Sequence, residues 1–194
     1  SDVCSSDLDS PSCGLERVKV YNVHGTGERR GRGLFAAALH AVYPHLPMEE
    51  EGRLADPRLR ENFIERVFAY RRLRDLFASS WTMGTLVEFH TAHKLTLMAH
   101  SIAAYQALGR LVAGAKRRSR PLVEREYFEG FMTGLATMAT PRRHANVLQH
   151  MAGYFKDRLD APSRKELQST IEDYRLGLIP LIVPITLEIG RAHV

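Results

Sequence analysis

Cys13 is the first residue along the chain with chemistry to offer. It sits in "SPSCG", beside Ser12 and close to Glu16. A loop cysteine can be a nucleophile, a metal or cluster ligand, or a small half-buried side chain, and the residue types leave all three open. Further on, "GTGERRGRG" sets Gly25, Gly27, Gly31 and Gly33 among Arg29, Arg30 and Arg32. Backbone amides and guanidinium groups there suit a phosphate or a nucleic-acid backbone. The spacing matches neither the Walker nor the dinucleotide fingerprint, and a solvated turn explains it equally well.

Histidines concentrate in "WTMGTLVEFHTAHKLTLMAH". At about 100° per residue, His90, His93 and His100 fall within roughly 80° of one another, on a face shared with Leu86 and Leu97. One reading is a metal or proton-transfer site. The other is a set of histidines hydrogen-bonded within a core. The spacing lacks the i,i+4 pair of the helical zinc-protease motif, and no acidic third ligand is evident.

Three basic clusters follow: Arg71, Arg72 and Arg74; Lys116, Arg117, Arg118 and Arg120; and Arg142 and Arg143 with His144. Scattered surface charge explains any one of them. Together they favour a polyanion, with RNA the first candidate. Tyr154 and Phe155 read as core residues, with stacking on bases the alternative.

The elements that must position these groups divide the chain. "RVKVYNV" (17–23) alternates like a short strand. The Gly/Arg run reads as a loop leading into a helix, "LFAAALHAVY". This strand–loop–helix order suits an α/β domain whose upstream strands are missing. Beyond the linker "PHLPMEEEGRLADP" the pattern is helical. Asp56 and Pro57 form a favoured helix start, with Leu59, Phe63, Val67 and Tyr70 on the apolar stripe, widened by Ile64 and Phe68. Thr82, Ser101, Thr140-Pro141 and Ser163 with Glu166 mark further starts, and Gly177 a stop. "LIPLIVPITL" reads as a broken apolar segment buried against the helices.

The two ends look foreign. Codons for Glu188 to Val194 can be written as the reverse complement of codons for Asp2 to Leu8, and the implied DNA resembles a sequencing-library adapter read in both orientations. Residues 1–8 and 188–194 are therefore expected to be adapter-encoded and are set aside, leaving 9–187 as a slice of a longer gene. The net charge then rises from +5 to +7, because one base and three acids leave. Residues 9–66 are balanced, so the whole excess lies in residues 67–187. Cys13 remains as a single thiol, which points to a reducing, cytoplasmic setting without a disulfide framework. One thiol is also too few for a zinc or iron–sulfur site built from this segment alone. No apolar run approaches the ~20 residues that span a bilayer.

"SPSCGLERVKVY", "RRGRGLFA" and "EEEGRLADPRLRENFIERVFAYRR" resemble the end of a thiouracil-desulfidase domain (TudS type, domain of unknown function 523). "FHTAHKLTLMAHS", "RHANVLQHMAGYFK" and "IEDYRLGLIPLIVPITL" resemble a YbgA-like domain (domain of unknown function 1722). The fusion is similar to RudS-type thiouridine desulfidases that act on tRNA. The resemblance implies a [4Fe–4S] cluster held by three cysteines, with a free iron that accepts sulfur from a thiolated pyrimidine while water attacks the ring carbon. Cys13 corresponds to one cluster ligand and Ser12 to a neighbouring polar residue that assists proton transfer, with Glu16 the second candidate catalytic residue. The other two ligands would lie upstream, so this chain alone is expected to hold no cluster and to be inactive. The expected fold is mostly α, with residues 9–66 the C-terminal part of an α/β domain and residues 67–187 an all-α domain. RNA contact is assigned to Arg29, Arg30, Arg32, Arg117, Arg118, Arg120, Arg142 and Arg143. His90, His93, His100 and His144 are held as a polar cluster. The alternative to the enzyme is a non-catalytic, nucleic-acid-binding helical module.

Overall fold

The computed structural model describes residues 10–22, 24–155 and 158–192. Among them a two-stranded hairpin is followed by eight α-helices, so the chain is mostly helical, as expected. It divides into two units, residues 1–82 with 124–136 and residues 83–123 with 137–194. Asp2 to Leu8, the first of the two foreign-looking ends, lie outside the described residues.

In the first unit, β1 (Val18–Tyr21) and β2 (Gly27–Gly31) pair antiparallel, with Lys19 opposite Arg29 and Tyr21 opposite Gly27. The Gly/Arg run is therefore largely a strand rather than the expected loop. Asn22 is the reason. Its side-chain oxygen accepts from the N–H groups of His24 and Thr26 at 2.9 and 3.0 Å. The chain thereby turns back on itself through Gly25.

α1 (Leu34–Val42) and a 3-10 turn (Glu51–Ala55) lead to α2 (Pro57–Ala78), within which the expected boundary at residues 66/67 falls. Asp56 caps α2 as expected, accepting from the N–H groups of Arg58 and Leu59. The buried stripe is rotated from the expected one. Asn62, Ala69 and Leu73 are buried, whereas Ile64 and Phe68 are 47% and 60% exposed. A polar residue holds a core position because the Asn62 amide donates to the Leu135 carbonyl at 3.0 Å, which removes the cost of burying it.

The remaining helices are α3 (Met83–His100), α4 (Ile102–Gly114), α5 (Arg120–Ala136), α6 (Pro141–Tyr154), α7 (Ala161–Arg175) and α8 (Ile182–Ala192). Residues 124–136 of α5 belong to the first unit. There Tyr127, Phe131 and Leu135 are fully buried. Phe77 meets Trp81 and Tyr127 edge-on at 5.3 and 6.3 Å, a favourable aromatic geometry.

In the second unit, Ser101 separates α3 from α4 and caps the latter through Ala104 N–H. Thr140 caps α6 with Pro141 in its first turn. α7 begins earlier than its expected Ser163 cap. Asp160 accepts from Ser163 N–H at 2.9 Å, and this places Pro162 in the first turn, where its missing N–H does no harm. Its end is as expected: Gly177 adopts φ +79°, Gly177 N–H bonds to Tyr174 O and Leu178 N–H to Asp173 O, the paired closure that favours glycine.

The "LIVPITL" segment continues as α8, with buried Pro184 in its first turn. Leu181, Ile185 and Leu187 pack on Ala145, Leu148, Leu167, Ile171 and Tyr174. Residues 188–192, set apart by the sequence, prolong this helix, and Glu188 is 1% exposed. Among the described residues no helix is long and apolar enough to cross a membrane.

Candidate functional site

The Cys13 loop is built onto the start of α1. Gly33 N–H donates to Gly14 O, Leu34 N–H to Pro11 O, and Phe35 and Ala36 N–H to Ser12 O. The first-turn amides of α1, which a helix leaves without internal partners, are thus satisfied by the loop. The Ser10 hydroxyl accepts from the N–H groups of Ser12 and Cys13 at 3.3 Å each. Glu50 accepts from Leu15 N–H at 3.1 Å, which ties the loop to the 3-10 turn. Cys13 is half-buried, and Ser12 and Glu16 are exposed. Gly33 lies so close to Ser12 and Cys13 that a side chain there would strike their backbone.

Among the described residues, no three His, Cys, Asp or Glu side chains converge as a metal-ligand set. A cluster held by three thiolates therefore does not fit the described residues by themselves. Cys13 offers one ligand on a rigid loop.

Of the arginines assigned to RNA, Arg29 and Arg30 lie exposed on β2, and Arg30 pairs with Glu28 at 3.1 Å. The Arg32 guanidinium donates to Leu15 O at 3.0 Å. Lys116, Arg117, Arg118 and Arg120 are all exposed at the corner where α4 passes through a short 3-10 turn into α5. Arg142 is exposed, whereas Arg143 is part of the fold. Its guanidinium donates to His100 O at 2.8 Å and Met138 O at 3.1 Å, closing the end of α3.

The four histidines are not brought to one point. The His100 ring meets Thr137 O at 2.7 Å, and His144 meets the Tyr174 hydroxyl at 2.7 Å. The His100 ring is buried and the His144 ring part-buried. His93 bonds to Phe89 O at 2.8 Å and stacks on the Phe89 ring. His90 stacks on Tyr105 at 5.9 Å with the rings parallel. Burial, with His93 adding its charge, holds the His90 imidazole below its ordinary value.

One group escaped the sequence reading. The Lys94 ammonium lies over the Tyr154 ring, 5.3 Å from its centroid, and the Tyr154 hydroxyl meets His150 Nε2 at 2.9 Å. Tyr154, expected in the core, is 53% exposed. Its i,i+4 spacing from His150 was the available signal.

Residues 94–187 match a family described as a protein of unknown function (DUF1722). The match carries nothing for residues 9–66. The chain is also 33% identical over 129 residues to the uncharacterized protein YbgA of Escherichia coli (strain K12), covering 66% of this chain and 76% of that protein. No solved structure matches. By this similarity the chain belongs to the YbgA-like (DUF1722) family of proteins of unknown function.

Proposed function

We propose that this chain binds RNA, with tRNA as the partner, through the basic corner between α4 and α5. The carrying observation is that Lys116, Arg117, Arg118 and Arg120 are all exposed there, while the first turn of α5 has no acidic residue. Amides at a helix start favour anions. A phosphate backbone supplies such anions in series.

The test is salt dependence. Each phosphate contact contributes about 0.7 to 0.9 to the slope of log affinity against log salt. Replacing Arg117, Arg118 and Arg120 by Gln in the whole chain is expected to flatten that slope by about two and to weaken tRNA binding at least roughly tenfold near 0.1 M salt. A slope that does not change removes the corner from the interface.

A second reading is favoured by the Cys13 loop. Four backbone hydrogen bonds fix it on the start of α1, as a cluster-ligand loop must be fixed. In this reading the chain is part of a desulfidase that removes sulfur from thiolated uridine or thiouracil, using a [4Fe–4S] cluster. Its remaining thiolates come from outside the described residues, and Ser12 and Glu16 stand at the solvent side. Anaerobic reconstitution with iron and sulfide separates the cases. The 194-residue chain by itself is expected to take up no cluster. A longer protein bearing two more cysteines is expected to load one and to erase the near-UV absorbance of thiouridine in tRNA, and Cys13→Ser should abolish both. Equal iron uptake with and without the Cys13 thiol would end this reading.

A further inference from the structure

We infer that Lys94, Tyr154 and His150 form a contact point for one nucleotide of single-stranded RNA, with the base stacked on Tyr154 and the adjoining phosphate held by Lys94. The inference rests on the RNA-binding reading and adds to it a second contact, a stacked base beside a held phosphate, on other helices of the same unit.

Three observations converge. The first is the aromatic surface: Tyr154 is 53% exposed, and its hydroxyl is tied to His150 Nε2 at 2.9 Å. An aromatic ring that is both solvent-facing and anchored at its polar end is a stacking surface of low entropy cost. The second is the cation. Among the described residues, the Lys94 ammonium lies over the Tyr154 ring and bonds to its hydroxyl. Neither the ring nor the phenol carries a full negative charge, so an anion adds to these partners, and the Tyr154 hydroxyl holds the amine above its usual range. The third is the sign of the surroundings. Across α3, α4 and α6, Glu88 is the single acid, set against Lys94, Arg110 and Arg142 and the histidines. α7, which packs on α6, adds three acids and three bases, so the net sign of these helices stays positive.

Beside this point, on α3 and α4, His90 and Tyr105 form the parallel pair described above, and Tyr105 lies near enough to act on the Lys94 charge. Aromatic side chains alternating with a cation suit successive bases and the phosphate between them.

The experiment uses the full chain and a short oligouridylate, with and without 5-bromouridine for photocrosslinking. Ultraviolet crosslinking of the unaltered protein should place the oligonucleotide on Tyr154, read by peptide mass spectrometry. Tyr154→Ala should weaken oligouridylate binding about tenfold without altering the salt slope, because stacking is not ionic. Tyr154→Phe should bind within about twofold of the parent, and Lys94→Gln should reduce the slope by about 0.7. Crosslinks confined to the Lys116–Arg120 peptides, or unchanged binding by a folded Tyr154→Ala variant, would overturn the inference and leave the basic corner standing. An unaltered chain that binds neither tRNA nor oligouridylate would overturn the RNA-binding reading itself.

Discussion

Glu188→Leu is expected to stabilise the chain by about 3 kcal/mol more above pH 7 than below pH 4. Glu188 is 1% exposed, and among the described residues neither carboxylate oxygen has a hydrogen-bond partner. Burial alone pushes its carboxyl up from 4.5 to about 7. The direction follows from proton binding. Between pH 4.5 and 7 the folded chain holds a proton that the unfolded chain has released, so stability falls as pH rises through that window. Below it the carboxyl is neutral in both states and the charge penalty vanishes, leaving the smaller cost of an unpaired neutral carboxyl. Above it the penalty is complete, and raising the carboxyl from 4.5 to about 7 corresponds to about 3 kcal/mol. In a protein of this size that amounts to a melting-point difference of roughly 10 °C. Urea or thermal melts of the parent and Glu188→Leu at pH 4, 6 and 8 measure it. Parallel pH profiles for the two proteins would show that α8 does not bury this carboxylate.

The second large effect concerns the loop that presents Cys13. Gly33→Ala would place a methyl group against Ser12 O and Ser12 C, and 2.8 Å from Cys13 N. These are backbone atoms, which have no rotamer by which to retreat. The loop must then lift from α1 and release the hydrogen bonds at Leu34, Phe35 and Ala36. We expect a loss of about 3 kcal/mol, the upper end for overpacking. Local release should also raise the rate at which a thiol reagent labels Cys13 by roughly tenfold or more, measured in a Cys4→Ser background. An alanine variant that melts and labels like its parent would mean that the loop is not clamped as described.

Much of this architecture was legible because helix starts have local chemistry. Asp56-Pro57, Ser101 and Thr140-Pro141 satisfy first-turn amides within a few residues of themselves, and the structure uses all of them. The second strand of the hairpin was not legible. Four of the five residues of β2, "GERRG", are exposed, so it shows no apolar alternation, and only pairing with β1 makes it a strand. The rotated stripe of α2 has a similar origin, since the partner that satisfies Asn62 is Leu135, distant in sequence.

The candidate site was legible in residue type more than in role. The sequence singled out Arg143 as a cation, but its two carbonyl partners come from residues 100 and 138. Tyr154 was read as core because aromatic residues usually are. The His150 bond and the Lys94 ammonium instead hold it at the surface. Cys13 was found by chemistry alone, and its positioning depends on Gly33, which the sequence marked only as one glycine among several.

The path of α5 limits how this protein can be cut and recombined. The family match spans residues 94–187, yet residues 124–136 group with residues 1–82. A cassette excised at the family's borders would carry Tyr127, Phe131 and Leu135 away from α2 and Trp81. Three large apolar side chains would lose their enclosure, and the product would tend to precipitate. A portable version of the domain has to begin no later than the Asp56 cap, so that α2 travels with the helix it encloses.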